Sequence, residues 1–218
     1  MCVILGKLSE QEKPSENLLR ACWASNPHGG GLMWKTDNDS PVQVHKGLMN
    51  ISEFLKIANT IPDTAEAWYH TRIVSRGSIC QEQCHPFYLP NGAWYMHNGT
   101  FRIEPWQGMS DTQTVAEYLI EKTDENAISV IDALCRESYS KAVVMMPGED
   151  TVLCGKWQEY NGYKVSNLYF APSIQREKVK VWAKSRTLCD TCMNYDDDCY
   201  GLMPNSYQGC MFYRESRR

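Results

Sequence analysis

The order of secondary-structure signals along the chain predicts an α+β domain. Strand signals come first, two amphipathic helical segments follow, and strand signals then return. A regular alternation of strands and helices would indicate a parallel doubly wound sheet, so the grouped order favours a layered α+β domain instead. The protein has 218 residues, of which 43% are hydrophobic and 22% charged, and this is enough for one sizeable core.

The first half of the sequence alternates short strands with glycine and proline turns. Residues 2–8 are dense in apolar side chains and predict a buried strand, and residues 17–23 have room for one or two helical turns. Residues 26–31 end in three consecutive glycines, which permit close approaches that a side chain would exclude. We interpret this glycine segment as a turn beside the first strand, along which substrate passes. The remaining signals of this half are strands at 32–35, 67–75 and 92–96 and a helix at 52–58 with Ser52 as its N-cap.

The second half begins with two predicted helices. Ser110-Asp111-Thr112 precedes apolar residues at helical spacing, which places a helix start at Ser110 or Asp111. Another helix is predicted at 126–138 because its apolar residues fall on one face. Strand signals then follow at 142–146, 151–154, 168–170 and 178–182, separated by proline and glycine turns.

The composition argues against several classes of function. A formal net charge of -4 gives no general attraction to nucleic acid or to an anionic membrane. The sequence has no run of about 18 apolar residues, and its N-terminus lacks the charged and apolar regions of a signal peptide. We therefore expect a cytoplasmic protein that binds no membrane and makes no direct contact with nucleic acid. Its ten cysteines are then expected to be reduced thiols, metal ligands or a nucleophile.

The composition changes near the C-terminus, which predicts a first domain at residues 1–186 and a cysteine-rich tail at residues 187–218. Four tail cysteines begin with a C-x-x-C pair and have the inventory of a tetrahedral, structural zinc site. The later intervals do not form the paired knuckles of a zinc ribbon, so a docked tail whose cysteines pack or oxidise is the alternative. The candidate zinc ligands are Cys189, Cys192, Cys199 and Cys210.

Cys2 directly follows the initiator methionine and becomes the N-terminal residue if Met1 is removed. A free N-terminal cysteine carries a thiol with a pKa of roughly 8.5 beside an α-amine with a pKa of about 8, so nucleophile and base lie on one residue. The alternative is that Cys2 is a small buried residue at the start of a strand, as free cysteines often are. Its position alone favours this second interpretation.

Several later stretches carry polar residues that a half-buried strand does not need for packing. With Cys2 and the glycine segment, in this order, they resemble the class II glutamine amidotransferases, which are N-terminal nucleophile hydrolases. This resemblance implies a four-layer αββα sandwich, and it favours Cys2 as a nucleophile over the packing interpretation. The stretches are His70-Thr71-Arg72 with Ser75-Arg76-Gly77, His85-Pro86-Phe87, His97-Asn98-Gly99 and Ser110-Asp111-Thr112.

The resemblance assigns catalytic roles at three positions. The thiolate of Cys2 attacks the side-chain amide of glutamine, forms a γ-glutamyl thioester and releases ammonia, with the α-amine as the general base. The side-chain amide of Asn98 and the backbone N–H of Gly99 donate to the oxyanion. No cofactor is required for this chemistry. Without the resemblance, Asn98-Gly99 would be interpreted as an ordinary hairpin turn.

The resemblance also assigns three substrate-binding residues. Arg72 corresponds to the clamp for the α-carboxylate of glutamine, because a guanidinium can form two parallel hydrogen bonds to a carboxylate. Asp111 corresponds to the partner of the α-ammonium, and Ser75 to a small hydroxyl residue near the carboxylate. The sequence departs from the family pattern at His28, where an acidic residue is common, and at Gln113, where glutamate is common. These departures place the substrate-facing details in question.

The resemblance further implies a partner for the protein. Family members that build a product carry a synthase or synthetase domain after the glutaminase, and a tail of about 35 residues is too short to be one. We therefore expect ammonia to pass to a separate acceptor-activating enzyme, such as one that modifies a nucleotide or base. The alternatives are an amidohydrolase of another γ-glutamyl or amide substrate, and a catalytically silent binding protein of the same fold.

Overall fold

The computed structural model describes residues 1–121 and 126–171, and the fold of these residues is mixed α and β. The protein divides after Phe170, and the residues up to that point form one compact unit. The predicted domain boundary at residue 186, the strand at 178–182 and the four tail cysteines lie outside the described residues and stay predictions. In sequence order the described helices and strands are β1 (Val3–Lys7), α1 (Glu16–Ser25), β2 (Gly30–Lys35), β3 (Gln43–Leu48), α2 (Ile51–Thr60), β4 (Glu66–Thr71), β5 (Phe87–Tyr88), β6 (Trp94–Asn98), α3 (Asp111–Glu121), α4 (Ala127–Ser138), β7 (Lys141–Met145), β8 (Val152–Cys154), β9 (Gln158–Tyr160) and β10 (Tyr163–Val165).

The described strands form two antiparallel sheets. The larger sheet has six strands in the order β3-β2-β4-β1-β10-β9, and the smaller has four in the order β5-β6-β7-β8. β1 lies between β4 and β10, and in its register with β4 Val3 is opposite Thr71. Because these strands are antiparallel, the start of β1 lies beside the end of β4. This arrangement brings Cys2 next to the residues that follow Thr71.

Apolar side chains from both sheets pack together in one core cluster. Ile4 of β1 is fully buried in it, and all five residues of β1 are buried. A strand covered on both faces reads as a continuous apolar run, which explains the dense pattern at residues 2–8. A second cluster joins the four-stranded sheet to α3 and α4. The first cluster contains Ile4, Met33, Trp68, Met96, Val143 and Met145.

The structure corrects several element boundaries that the sequence predicted. The N-cap of α2 is Asn50, whose side chain accepts a hydrogen bond from the backbone N–H of Ser52, so Ser52 is not the cap. The strand predicted at 67–75 ends at Thr71, and the segment 168–170 is not a strand. β3, β5, β9 and β10 were not predicted, because they are short or carry few apolar residues at alternating positions.

The three glycines at 29–31 are not a turn for substrate. Gly30 and Gly31 lie inside β2, and only Gly29 has a positive φ, of 108°. A Cβ added to Gly31 would lie 2.0 Å from the carbonyl oxygen of His85 and 2.7 Å from that of His45. The glycine is therefore required because the protein's own backbone approaches β2 closely from two directions.

Candidate active site

The thiol of Cys2 lies where the end of β4 meets the start of β1. Cys2 is half-buried, and its Sγ donates a hydrogen bond to the carbonyl oxygen of Ile73 at 3.5 Å. Burial raises the pKa of the Cys2 thiol, and the positive charges of the N-terminus and of Arg72 oppose that shift. In the described state, with Met1 still attached, the thiol therefore needs a base before it can act as a nucleophile.

Gly99 follows directly on β6 and adopts a φ of 144°, which favours glycine. A Cβ at this position would lie 2.2 Å from the Cβ of Ser140, so no other residue fits without a backbone shift. The H-N-G segment is not a hairpin turn, because β6 leads into α3 and pairs with β5 and β7, and the glycine is required here for steric reasons. Its backbone N–H is the second of the two predicted oxyanion donors.

The side chain of Asn98 is buried behind the turn. Its Nδ2 donates to the hydroxyl of Ser166 at 2.8 Å, and its Oδ1 has no hydrogen-bond partner among the described residues. Ser166 is fully buried and follows β10, which pairs with β1. The amide predicted to bind an oxyanion is therefore fixed from the larger sheet, although Asn98 belongs to the smaller one.

Asp111 is the first residue of α3, as the sequence predicted. Its Oδ2 accepts a hydrogen bond from the backbone N–H of Phe101 at 2.6 Å, while the hydroxyl of Ser110 accepts from the N–H of Gln113 at 3.1 Å. Ser110 thus acts as the cap, and the carboxylate of Asp111 holds the backbone just after Gly99. Burial raises the pKa of the Asp111 carboxyl, and hydrogen bonds from backbone N–H groups oppose that shift.

Arg72 lies directly after β4 and is 3% exposed. Its guanidinium donates to the carbonyl oxygen of Ser78 at 2.6 Å, to that of Arg76 at 3.4 Å and to Oε1 of Gln83 at 3.0 Å. The predicted carboxylate clamp is therefore engaged by its own following loop. Since a guanidinium has five N–H groups, two remain for a ligand, and the long contact to Arg76 is the weakest of the three.

Gln83 is a site residue that the sequence did not single out. Its side chain is 2% exposed and accepts hydrogen bonds from Arg72 and from the backbone N–H of Ser78, while its Nε2 donates to the carbonyl oxygen of Gly108. It thereby ties the loop after Arg72 to the loop before α3. Residues 81–83 are three similar polar side chains in a row, and only the tertiary contacts distinguish Gln83.

His28 explains one departure from the family pattern. The backbone N–H of Val74 donates to Nδ1 of His28 at 3.1 Å, and the N–H of His28 donates to the carbonyl oxygen of Arg72 at 2.9 Å. An imidazole nitrogen here accepts a backbone N–H as a carboxylate oxygen would. The glycine segment and the end of β4 therefore stay joined without an acidic side chain.

Five of the six residues predicted for catalysis and substrate binding line one narrow cleft. Only about 20 Å³ of the cleft is accessible to the centre of a water-sized sphere. Asn98 does not line it, because its side chain is buried beside the cleft next to Gly99. The hydroxyl of Ser75 lies 3.5 Å from that of Thr100, at the exposed side. The five lining residues are Cys2, Arg72, Ser75, Gly99 and Asp111.

Three buried histidines lie at the cleft, and two of them, His85 and His97, are among its lining residues. The rings of His70 and His85 are 3.9 Å apart between centroids, and Nδ1 of His97 lies 2.9 Å from the hydroxyl of Thr112. Burial lowers the pKa of His70 and of His97 to about 3, and it also lowers the pKa of His85 well below its usual value. These imidazoles are therefore neutral and only weakly basic near pH 7.

No group of three or more histidine, cysteine or acidic side chains in residues 1–121 and 126–171 could hold a metal ion. The zinc ligands predicted in the tail lie outside this part of the protein and stay a prediction. Within the same ranges, no helix is both long and apolar enough to cross a bilayer.

Two solved structures resemble the protein over most of its length. No protein-family model matches it, and no curated protein does either. The glutamine phosphoribosylpyrophosphate (PRPP) amidotransferase from B. subtilis, in complex with ADP and GMP, aligns with 78% of the sequence at a TM-score of 0.52 and 14% identity. An allosteric regulatory enzyme of purine biosynthesis aligns with the same share at a TM-score of 0.50 and 15% identity.

The protein has the fold of a glutamine amidotransferase. The resemblance predicted from the motifs is thus confirmed at the level of fold. The alignment covers 42% of each of these two solved proteins, so the present sequence spans less than half of their length. At this level of identity the likeness extends to the fold alone, and the activity requires its own test.

Proposed function

We propose that the protein is a class II glutamine amidotransferase subunit that hydrolyses glutamine at Cys2. The observation that carries this proposal is the convergence of Cys2, Arg72, Ser75, Gly99 and Asp111 on one cleft. These residues come from four separate stretches of sequence, and the fold that gathers them resembles solved glutamine amidotransferases.

The reaction begins with removal of Met1, which is 56% exposed and therefore accessible to an aminopeptidase. The α-amine of Cys2 then takes the proton of the thiol, and the thiolate attacks the side-chain carbonyl carbon of glutamine. Burial raises the pKa of this thiol, so a base on the same residue is needed at neutral pH. The three buried histidines, His70, His85 and His97, are too weakly basic to replace the amine.

The negative charge of the tetrahedral intermediate develops on the former amide oxygen. The backbone N–H of Gly99 and the side-chain amide of Asn98 donate to it, and each such donor contributes on the order of 3 kcal/mol to the transition state. The α-ammonium then protonates the departing nitrogen, the C–N bond breaks, and ammonia leaves. Water attacks the remaining γ-glutamyl thioester, which releases glutamate and restores the thiol.

Substrate orientation falls to Arg72, Ser75 and Asp111, which also line the cleft. The remaining N–H groups of Arg72 bind the α-carboxylate, with the hydroxyl of Ser75 nearby, and the carboxylate of Asp111 binds the α-ammonium. Oδ2 of Asp111 already accepts a backbone N–H, so Oδ1 is the oxygen left for the ligand. A γ-glutamyl compound with another leaving group, or a different amide, would be bound by the same residues. A related amidohydrolase is therefore the second candidate.

Two further elements complete the proposal. The arrangement is the four-layer αββα sandwich, which is supported by the packing of α2 on the larger sheet, of α3 and α4 on the smaller sheet and of β1 against β6. Ammonia passes to a separate acceptor-activating enzyme of the cytoplasm, in nucleotide or base modification. The two similar solved proteins, a PRPP amidotransferase and an enzyme of purine biosynthesis, support that class of acceptor.

The decisive experiment measures glutamate release from glutamine and from a panel of other γ-glutamyl compounds and amides. We expect glutamine to be hydrolysed fastest, and intact mass to show loss of methionine and one adduct on Cys2 after exposure to a glutamine-analogue electrophile. Hydrolysis of another panel member alone would replace the first proposal by the amidohydrolase. A purified protein that hydrolyses nothing and keeps its cellular phenotype as Cys2→Ala would be a binding protein.

A further inference from the structure

Ser166 joins the start of β1 to the side chain of Asn98. Its hydroxyl oxygen accepts from the backbone N–H of Ile4 at 2.8 Å and lies 2.8 Å from Nδ2 of Asn98. Its own backbone N–H donates to the carbonyl oxygen of Ile4 at 2.9 Å. Ser166 is fully buried, so these contacts are shielded from water. One side chain thus spans the nucleophile strand and the predicted oxyanion donor.

The hydrogen bonds around this hydroxyl are incomplete as the amide is oriented. The oxygen of Ser166 receives two donors, yet the described residues give its own proton no acceptor. At the same time Oδ1 of Asn98 is a buried acceptor to which no described residue donates. Each of the two residues joined by this contact therefore carries one unsatisfied group, which is rare in buried networks.

Exchanging the nitrogen and oxygen of the Asn98 amide pairs the proton of Ser166 with the amide oxygen and leaves the amide nitrogen unpaired. The two atoms have nearly the same shape, and their assignment follows from the hydrogen-bond network rather than from the outline of the side chain. In the exchanged orientation the hydroxyl of Ser166 still accepts from Ile4 and donates its proton to Oδ1. Nδ2 then takes the position of the present Oδ1, where the described residues offer it no acceptor.

We propose that Ser166 is a positioning residue that orients the amide of Asn98 so that Nδ2 is left free for the oxyanion. This inference rests on the function proposed above. The backbone N–H of Ile4 donates to the hydroxyl oxygen of Ser166, so the proton of Ser166 points away from β1. This proton pairs with the oxygen of the Asn98 amide and not with its nitrogen. Nδ2 of Asn98 is then unpaired in the free enzyme. It gains a hydrogen-bond acceptor only when negative charge develops on the amide oxygen of the substrate.

Asn167 extends this arrangement to the nucleophile. Its Nδ2 donates to the carbonyl oxygen of Cys2 at 2.5 Å, and its Oδ1 accepts from the backbone N–H of Tyr169 at 3.0 Å. Adjacent residues therefore hold the backbone of Cys2 and the amide of Asn98. The separation between nucleophile and oxyanion donor is set by this two-residue segment after β10.

The test compares Ser166→Ala with the wild-type protein after Met1 removal. We expect kcat for glutamate release to fall at least about tenfold while KM changes less than about threefold, because a mis-set donor acts only in the transition state. Alkylation of Cys2 by iodoacetamide should keep its rate, since that reaction needs no oxyanion donor. Ser166→Cys retains a weak donor and should give an intermediate kcat. If the alanine variant does not fold, Ser166→Cys alone is compared with the wild-type protein.

The control is Thr60→Val, which removes an exposed hydroxyl that donates to the carbonyl oxygen of Ile57 at the end of α2. It should leave both kcat and KM within about twofold of the wild type, the size expected of a substitution remote from the site. Equal losses in Ser166→Ala and Thr60→Val, or an unchanged kcat in folded Ser166→Ala, would overturn the inference while leaving the glutaminase proposal intact.

Neutron diffraction of crystals grown in D₂O tests the orientation without any assay. We expect one deuteron on Ser166 directed at Oδ1 of Asn98, and both amide deuterons of Asn98 directed away from Ser166. Amide deuterons directed at Ser166 would reject the inference whatever the activity. A wild-type protein that releases no glutamate would reject the proposed function instead, and the neutron result would still decide how the amide is oriented.

Discussion

The two sides of the cleft are built differently. On the nucleophile side, β1 and the residue before it are held by Ser166, Asn167 and the register with β4, through largely buried contacts of 2.5 to 2.9 Å. On the substrate side, Arg72 is held by its own loop and Ser75 makes an exposed contact of 3.5 Å. The first set of contacts is largely buried and ties β1 to the segment after β10, whereas the second lies within one loop or at an exposed position.

This difference separates reaction from recognition. Backbone and buried contacts fix where the thiol and the oxyanion donors stand, so changes there should lower kcat. Contacts made by loop side chains fix which molecule reaches the thiol, so changes there should raise KM. Substitutions of the two groups of residues test this separation of effects on kcat from effects on KM.

Replacing Cys2 by serine should have the largest effect. We expect kcat for glutamate release to fall at least about a thousandfold, because a hydroxyl is a far poorer nucleophile and removal of a nucleophile leaves only binding and oxyanion donors. A discontinuous kinetic assay of glutamate measures this loss. Cys80→Ser, a half-buried thiol on the loop after Arg72, is the matched control and should stay within about twofold. Comparable losses in both variants would point to loop distortion.

Replacing Asn98 by aspartate or alanine should have the next largest effect. Aspartate preserves the shape but removes both N–H donors, so we expect kcat to fall about a hundredfold to a thousandfold in either variant with little change in KM. Steady-state kinetics on glutamine separates the two constants. A rise in KM with kcat unchanged would show that Asn98 binds substrate, and the division between the two sides of the cleft would fail.

Replacing Arg72 by lysine should mainly weaken binding. An ammonium cannot reproduce the planar fork that reaches the loop carbonyls and a carboxylate together, so KM should rise about thirtyfold, equivalent to about 2 kcal/mol. Arg76→Lys is the comparison, because Arg76 also lines the cleft but donates to the carbonyl oxygen of Ile103 from an exposed position. It should raise KM less than about threefold. A larger effect at Arg76 would assign the clamp to that residue.

The same contrast explains what the sequence could predict of the site. Gly99 and Asp111 stand in a turn and at a helix start, and each position has a local signature, whereas Arg72 lies within the strand predicted at 67–75 and was assigned by the resemblance. Ser166 and Gln83 have none, because their roles arise from contacts with residues 162 and 11 positions away. Local sequence marks where backbone changes direction, and it does not show which buried side chain spans two strands.

The fold shows the same limit. Residues 168–170 are apolar enough to predict a strand, but Asn167 accepts the backbone N–H of Tyr169 and the backbone turns there. β9 and β10 are short, and among their residues Val165 is the only buried one. β10 pairs with β1 and β9 pairs with β10, and these tertiary contacts override a weak local preference.

The buried histidines predict the smallest effect, on stability at mildly acidic pH. An unfolded histidine has a pKa of about 6.5, whereas burial lowers the pKa of His70 and of His97 to about 3 in the folded protein. Between these values the unfolded state binds protons that the folded protein cannot, so stability is full above about pH 6.5 and declines as the pH falls. At pH 6 each histidine should lower the free energy of unfolding by about 0.8 kcal/mol.

Urea unfolding at pH 7.5 and at pH 6 measures this loss, and the comparison with His97→Gln isolates one group. Glutamine can still bond the hydroxyl of Thr112 but does not titrate, so the difference between the two pH values should shrink by about 0.8 kcal/mol in the variant. The raised pKa of Asp111 contributes in the opposite direction, because the folded protein then binds the extra proton, and it cancels between wild type and variant. An unchanged difference would mean that His97 is protonated or hydrated in the folded protein. Water would then reach the side chain of His97.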